Sequence, residues 1–324
     1  MRIWPRPAPH EERRLYTGNF STMYTTNPLT DLVVRIKSVC REAWTDAADQ
    51  LGVHSDKLLL NWNRGDPDWL PGNNGCHSKH THKFTLWEVG FLTEFVVTNT
   101  YVMNGSILRK QAVGIPMGTN CAPAVANLYL YSYESEYIDR LIRSNEVEKA
   151  QAFHLSFRLI DDVLSLDNPY WNDAVGTPAE DGGLYPKALK LTDTSISPVE
   201  VNFIGMKITD GENGLKLEVY DKRKEFNFPV IRYPNLLSLI PASSPYGVWM
   251  GQLHRFYRIS TFPKSFLTSA AMLAMTLLNQ GCVRNRLELV FHKFLSSKGK
   301  LHWKTKLSDL TKSFRAWLRN EDMF

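Results

Sequence analysis

The chain has 324 residues, 43% hydrophobic and 22% charged, with a formal net charge of +5 and a pI near 8.9. This is globular composition with ample apolar surface for a core, and its mild positive charge permits a polyanionic partner without requiring one. Four scattered cysteines (Cys40, Cys76, Cys121 and Cys282) include no CxxC pair, the first 14 residues lack an apolar leader, and the most apolar stretch, Phe266–Leu278, is too short for a bilayer; these features exclude a disulfide framework, a secretory signal and a membrane span, so reduced thiols and an intracellular location are expected.

Leu15–Tyr24 (LYTGNFSTMY) reads as a strand running into a turn. Asn27-Pro28 then supplies an N-cap and a proline at the first helical position, with Leu32, Ile36, Val39, Ala43 and Ala47 at helical spacing and Gly52 as a stop. Asn61–His82 is rich in Gly, Pro, Asn and Asp and reads as loop. Thr85 and Glu88 form a capping box that opens a helix to about Thr98. Thr100–Met103 and Ser106–Gln111 flank Asn104-Gly105, the dipeptide of a type I′ hairpin. After a stiff Gly114–Gly118 connection, Pro123 opens a long helix whose apolar face is read as Leu128, Tyr131, Ile138 and Ile142.

Phe157–Leu166 (FRLIDDVLSL) predicts a hairpin with Asp161 and Asp162 at its tip. Val201–Thr209 and Leu215–Tyr220 predict a second hairpin around Gly211–Gly214, and from Pro245 onward the pattern is helical: Gly247–Ile259, Phe266–Gln280, Arg284–Leu295 and Leu307–Arg319. Interleaved strands and helices without βαβ alternation point to an α+β sheet domain with a helical appendage.

Two adjacent carboxylates on a short apolar hairpin are costly unless a cation offsets them. Magnesium suits such a site, because it takes one or two carboxylates plus substrate phosphates, and two ions about 3.5–4 Å apart can clamp the attacking and leaving oxygens of nucleotidyl transfer. Adjacent strand residues face opposite ways, so one of the pair is expected to aim fully into the site. From the dipeptide alone, a solvated Asp-Asp turn is the alternative.

The context is more specific. Gln111-Ala-Val-Gly114-Ile-Pro116-Met117-Gly118-Thr-Asn-Cys-Ala-Pro123, then Ala126-Asn127, precedes the acidic hairpin. QxxGxPMGxxxxPxxAN followed by xxDD resembles the B and C motifs of reverse transcriptases, and Met117 resembles the Penelope-like and telomerase-related branch. The resemblance implies a polymerase palm, an antiparallel sheet packed on helices, with a C-terminal helical thumb. It implies that Gln111, Gly114, Pro116, Met117 and Gly118 shape the floor under the incoming dNTP and templating base, with both glycines allowing close backbone approach. The family's A motif, an aspartate with an aromatic five residues on, falls on Thr17–Pro28; Tyr24 takes the aromatic position, against the nucleotide sugar, and Asn19 takes the place of the first metal-binding aspartate.

The expected mechanism is two-magnesium transfer of a dNTP to a primer 3′-hydroxyl on an RNA or DNA template, with Asp161 and Asp162 as metal ligands. Asn19, neutral and a poorer ligand for a hard cation, should lower it severely. Leu159 stands where the family usually has Tyr, a position read as packing. Only Met1–Arg14 precede the A motif, so the family's fingers are expected to be truncated; the expected layout is an extension at 1–14, a palm with residual fingers at 15–222 and a thumb at 223–324. Tyr220-Asp-Lys-Arg223 followed by Phe226-Asn-Phe resembles the lead into the thumb. There, basic residues from Arg284 to Arg319 alternate with Phe291, Phe294, Trp303, Phe314 and Trp317, which suits phosphate contacts and base stacking, or else a solvated basic helical face. Two other readings are a non-catalytic nucleic-acid-binding remnant and a zinc-loop interaction protein centred on Cys76, His77, His80 and His82, ligands spaced more tightly than structural zinc usually takes.

Overall fold

The computed structural model describes residues 15–50, 57–61, 68–71, 81–211, 214–228, 230–298, 303 and 305–319. The chain divides into two compact units, Gly18–Asp193 and the combination of Thr194–Phe324 with the residues up to Thr17. Among the described residues no helix is long and apolar enough to cross a membrane.

The first unit starts within β1 (Leu15–Phe20), which turns through Ser21-Thr22 into the short helix α1 (Met23–Thr26) and then α2 (Leu29–Gln50). Asn27 does not cap α2. Its side-chain amide donates back to the Met23 carbonyl at 2.5 Å, and Pro28 forms a bridge to Val113, so α2 begins one residue later than the Asn-Pro signal suggests. Three strands, β2 (Lys57–Asn61), β3 (Asp68–Pro71) and β4 (Thr81–Thr85), form an antiparallel sheet of order β3-β2-β4. This corrects the loop reading of Asn61–His82 at residues 61, 68–71 and 81–82, where the strands are only four or five residues long and local composition conceals them; the rest of that stretch lies outside the described residues. Cys76, His77 and His80 lie outside the described residues, and His82 is paired opposite Leu60.

α3 (Leu86–Thr98) has the expected capping box, with Thr85 Oγ1 accepting from the Glu88 amide and the Glu88 carboxylate accepting from the Thr85 amide. β5 (Tyr101–Asn104) and β6 (Ile107–Lys110) pair Asn104 with Ile107, which makes Gly105-Ser106 the turn. Only Gly105 has a positive φ, so the turn follows the pattern with glycine at its first central position, and the type I′ expectation is corrected.

α4 (Ala122–Arg143) begins with Pro123 in its first turn. Its buried face is Val125, Ala126, Tyr129, Leu130, Tyr133, Tyr137 and Leu141, whereas Tyr131 and Ile142 are exposed. The expected face is wrong because the tyrosines face inward: the phenols of Tyr129 and Tyr133 both donate to Asp31 Oδ2 at 2.7 Å, joining α4 to α2. Burial, aided by Asp31, pushes the Tyr129 phenol pKa up, and burial is the main reason that Tyr133 rises to about 12.

The unit continues through α5 (Val147–Ala152), β7 (Ser156–Leu159), β8 (Asp162–Leu166), α6 (Trp171–Gly176) and β9 (Leu191–Asp193). Its main sheet has the order β7-β8-β1-β9. β1 therefore lies beside the acidic hairpin although 142 residues separate Asn19 from Asp161.

In the second unit, β10 (Glu200–Phe203), β11 (Met206–Gly211) and β12 (Gly214–Val219) form an antiparallel meander. The single strand expected over Val201–Thr209 is broken because Ile204 and Gly205, at φ 47° and 69°, make a tight turn. Four helices follow, α7 (Ser244–Ile259), α8 (Pro263–Asn279), α9 (Arg284–Ser297) and α10 (Leu307–Arg319), matching the expected helices. The meander groups with them through bonds between Leu217 and Thr261 and between Glu218 and Ser265.

The helical core is aromatic: Trp249 stacks on Phe291 and Phe314, and Trp303 donates to the Thr261 carbonyl. Phe291, Phe294, Trp303 and Phe314 are all buried. These four rings therefore serve packing and are not presented for base stacking; Lys293 and Lys312 lie on the exposed faces of α9 and α10. Cys40, Cys121 and Cys282 are free thiols, and burial pushes those of Cys40 and Cys282 up in pKa.

Candidate functional site

The acidic hairpin turns through Ile160-Asp161, with Leu159 paired opposite Asp162. Ile160 has φ 57°, a left-handed conformation that a β-branched residue strongly disfavours and that costs on the order of 1–3 kcal/mol. This kink matters for the carboxylates. Asp161 lies in the turn and Asp162 opens β8, so simple strand alternation does not apply, and both side chains turn toward β1.

They converge on Asn19. Its side-chain amide nitrogen donates to Asp162 Oδ1 at 3.0 Å and to Asp161 Oδ2 at 3.3 Å. The expectation that only one carboxylate would aim fully into the site is corrected. The backbone reinforces the convergence, because the Phe20 amide donates to the Asp161 carbonyl at 2.9 Å.

Arg158 holds the strained turn from behind, and sequence reasoning missed it. Its guanidinium makes two bonds to the Glu134 carboxylate, at 2.6 and 3.0 Å, two to the side chain and backbone of Asn127, and one to the carbonyl of Ile160. Tyr185 donates to Glu134 at 2.9 Å and packs edge-on against Phe20 at the end of β1. One network on α4 thus fixes both the hairpin tip and the strand that carries Asn19. The available signal was an arginine on a short apolar strand, which needs a carboxylate nearby. Replacing Arg158 by Met should destabilise the fold by ~3–5 kcal/mol, because it leaves Glu134 half-buried without its cation; urea denaturation of the variant beside the parent measures it.

The loop between β6 and α4 meets α1 at Gly114. The Gly114 amide donates to the Asn27 carbonyl at 2.8 Å and the Ile115 amide to the Tyr24 carbonyl at 2.9 Å. Gly114 has φ +87°, and a Cβ there would lie 2.2 Å from the Tyr24 carbonyl oxygen. Ile115 and Pro116 are buried, which anchors the loop. Tyr24 lies within electrostatic reach of Asp161: burial, then the carboxylate's charge, pushes its phenol up in pKa.

The other loop residues stand apart from this cluster. Gln111 turns its side-chain amide onto the Val113 carbonyl, and Met117 is 69% exposed. Gly118 has φ +90°, and a Cβ there would meet nothing within 4 Å. Leu159 is 48% exposed, so it is not the packing residue expected at that position.

In this arrangement the Asn19 amide competes with a magnesium ion for the carboxylates of Asp161 and Asp162. Two carboxylates remain, and the group between them presents N–H donors, which attract the same oxygens a cation would take. Among the described residues no set of three or more His, Cys, Asp or Glu side chains is placed to hold a metal. The amide satisfies both acids with dipoles in place of charge.

A search of solved structures finds a similar fold. Telomerase from Candida albicans, in complex with a fragment of telomeric RNA, aligns with 96% of this chain at a TM-score of 0.52 and 12% identity. The chain has a reverse-transcriptase-like fold. An apo telomerase from Candida tropicalis also aligns, over 94% of the chain at 9% identity, with a TM-score of 0.43 that is too low to argue from. The chain spans 45% of the length of the Candida albicans protein. No protein-family profile matches the chain, and no curated protein sequence matches it. In this reverse-transcriptase-like fold, the mixed helix and antiparallel sheet with a C-terminal helical region is as expected from the sequence.

Proposed function

We propose that the chain is a reverse-transcriptase relative that binds an RNA or DNA template–primer, with transfer of dNTP to the primer 3′-hydroxyl lowered by several orders of magnitude. The observation that carries this reading is the Asn19 amide bonded to both Asp161 and Asp162. Catalysis on this fold depends on preorganised charge where the phosphoryl oxygens react, and a neutral donor between the two acids opposes it. Magnesium would have to displace the amide before Asp161 and Asp162 could ligate it. The Gly114-Ile-Pro-Met117-Gly118 form of the loop supports the Penelope-like and telomerase-related branch. A telomerase of this fold is solved with telomeric RNA, which supports RNA as the partner class.

Two assays on the same protein test the reading. Binding of a primer–template oligonucleotide should be saturable and fall steeply with salt, since phosphate contacts release counterions. Primer extension on an RNA template with Mg²⁺ should give no product above background. Robust extension by the unaltered chain contradicts the proposal, as does an absence of salt-sensitive binding.

A further inference from the structure

The second unit contains a half-open recess of about 970 Å³ formed by the meander, the segment that follows it, α7 and α8. Six cations line it: Lys207, Lys216, Arg223, Arg232, Arg255 and Lys264. Two carboxylates, Glu218 and Asp221, also line it, but both are engaged. Glu218 accepts from Lys216 at 2.8 Å and from Ser265 at 2.7 Å, and Asp221 clamps Arg223 at 2.5 Å. Lys207 is held by Glu200 at 2.7 Å.

Three cations remain. Among the described residues Arg255 reaches only the Gly205 carbonyl, at 3.4 Å, and Arg232 lies over the Tyr233 ring at 5.4 Å. Arg232, Arg255 and Lys264 make no ion pair among the described residues. They come from three different elements and face one recess, so an anion placed there would meet all three charges. The hydroxyls of Thr268 and Ser269 on α8 add hydrogen-bond donors, and the rings of Tyr233 and Phe262 add flat apolar surface. The volume is that of a small-molecule site. Duplex nucleic acid, by contrast, meets protein over an extended surface of roughly 1,000–2,500 Å².

We infer that this recess binds a compact polyphosphorylated small molecule, a nucleoside polyphosphate fitting both its cations and its rings. The site is separate from the Asn19 cluster, so it stands or falls independently of the polymerase reading. Calorimetric titration of the full chain with tripolyphosphate and with ATP in metal-free buffer tests it. The expected result is saturable 1:1 binding, with ATP at least as tight as tripolyphosphate.

Replacing Arg232 and Lys264 together by Gln should weaken both ligands roughly a hundredfold, since each contributes a charge-assisted bond. Both side chains are exposed, so the thermal midpoint of the unliganded variant should not move. Asp161→Asn should leave the binding unchanged. Absence of saturable binding overturns the inference. So does binding that the double variant leaves intact, or binding that Asp161→Asn alters. If a single-stranded RNA oligonucleotide displaces ATP and loses affinity equally in the double variant, the recess serves a nucleic-acid strand and the small-molecule assignment is wrong.

Discussion

Replacing Asn19 by Asp should convert a metal-indifferent fold into a metal-dependent one. The substitution removes both amide donors and sets a third carboxylate beside Asp161 and Asp162. Each lost bond to a charged acceptor is worth ~1.5–3 kcal/mol when buried. The carboxylates here are half-exposed, so we expect a net loss of about 2–3 kcal/mol in EDTA. This corresponds to a fall of roughly 5–10 °C in the thermal midpoint. Magnesium or manganese should restore that loss, because a ligand that binds only the folded state stabilises it by mass action. The unaltered chain should melt at the same temperature with EDTA or with Mg²⁺. Thermal unfolding of the two proteins under both conditions decides it; a destabilised variant that divalent cations do not rescue would count against three-carboxylate convergence.

Gly114→Ala should be among the most damaging single-methyl additions to the first unit. The new Cβ would lie 2.2 Å from the Tyr24 carbonyl oxygen, a backbone atom that cannot swing aside. The φ of +87° adds conformational cost for any L side chain. Relief requires the loop to separate from α1, which breaks the bonds from the Gly114 and Ile115 amides. We expect a loss of at least ~4 kcal/mol. Gly118→Ala is the internal control: its φ is +90° but the space around it is open, so only the conformational cost of about 1–2 kcal/mol applies. Urea denaturation of both variants measures the difference, and equal losses would show that the clash at Tyr24 is not what makes Gly114 necessary.

What was legible in the sequence was local. The capping box of Thr85 and Glu88, the acidic hairpin and the four C-terminal helices each carry their signal within a few residues. The sheet of β2, β3 and β4 was not legible, because four- and five-residue strands pair across segments rich in turn residues. The buried face of α4 was misread for a different reason. Tyrosine is amphipathic, and its burial at 129 and 133 depends on a carboxylate 98 and 102 residues away. For the C-terminal aromatics the sequence left base stacking and an amphipathic helix pair with a solvated basic face both open, and the burial of Phe291, Phe294, Trp303 and Phe314 favours the second.

At the candidate site, sequence identified Asn19, Asp161 and Asp162 but not the hydrogen bonds that join them. Reasoned from ligand strength, Asn19 is a poor metal ligand. In the fold it is a donor, because Ile160 kinks the turn and brings both carboxylates within reach of one amide nitrogen. Arg158 was invisible for a related reason: its value comes from Asn127 and Glu134, 31 and 24 residues earlier on α4.

With the Asn19 amide bonded to both Asp161 and Asp162, Mg²⁺ should find no site between them. Calorimetric titration of Mg²⁺ into the unaltered chain, beside its Asp161→Asn variant, tests it most directly. The isotherms should superimpose, with no saturable heat that depends on Asp161. A saturable Mg²⁺ site in the unaltered chain that Asp161→Asn abolishes would contradict it.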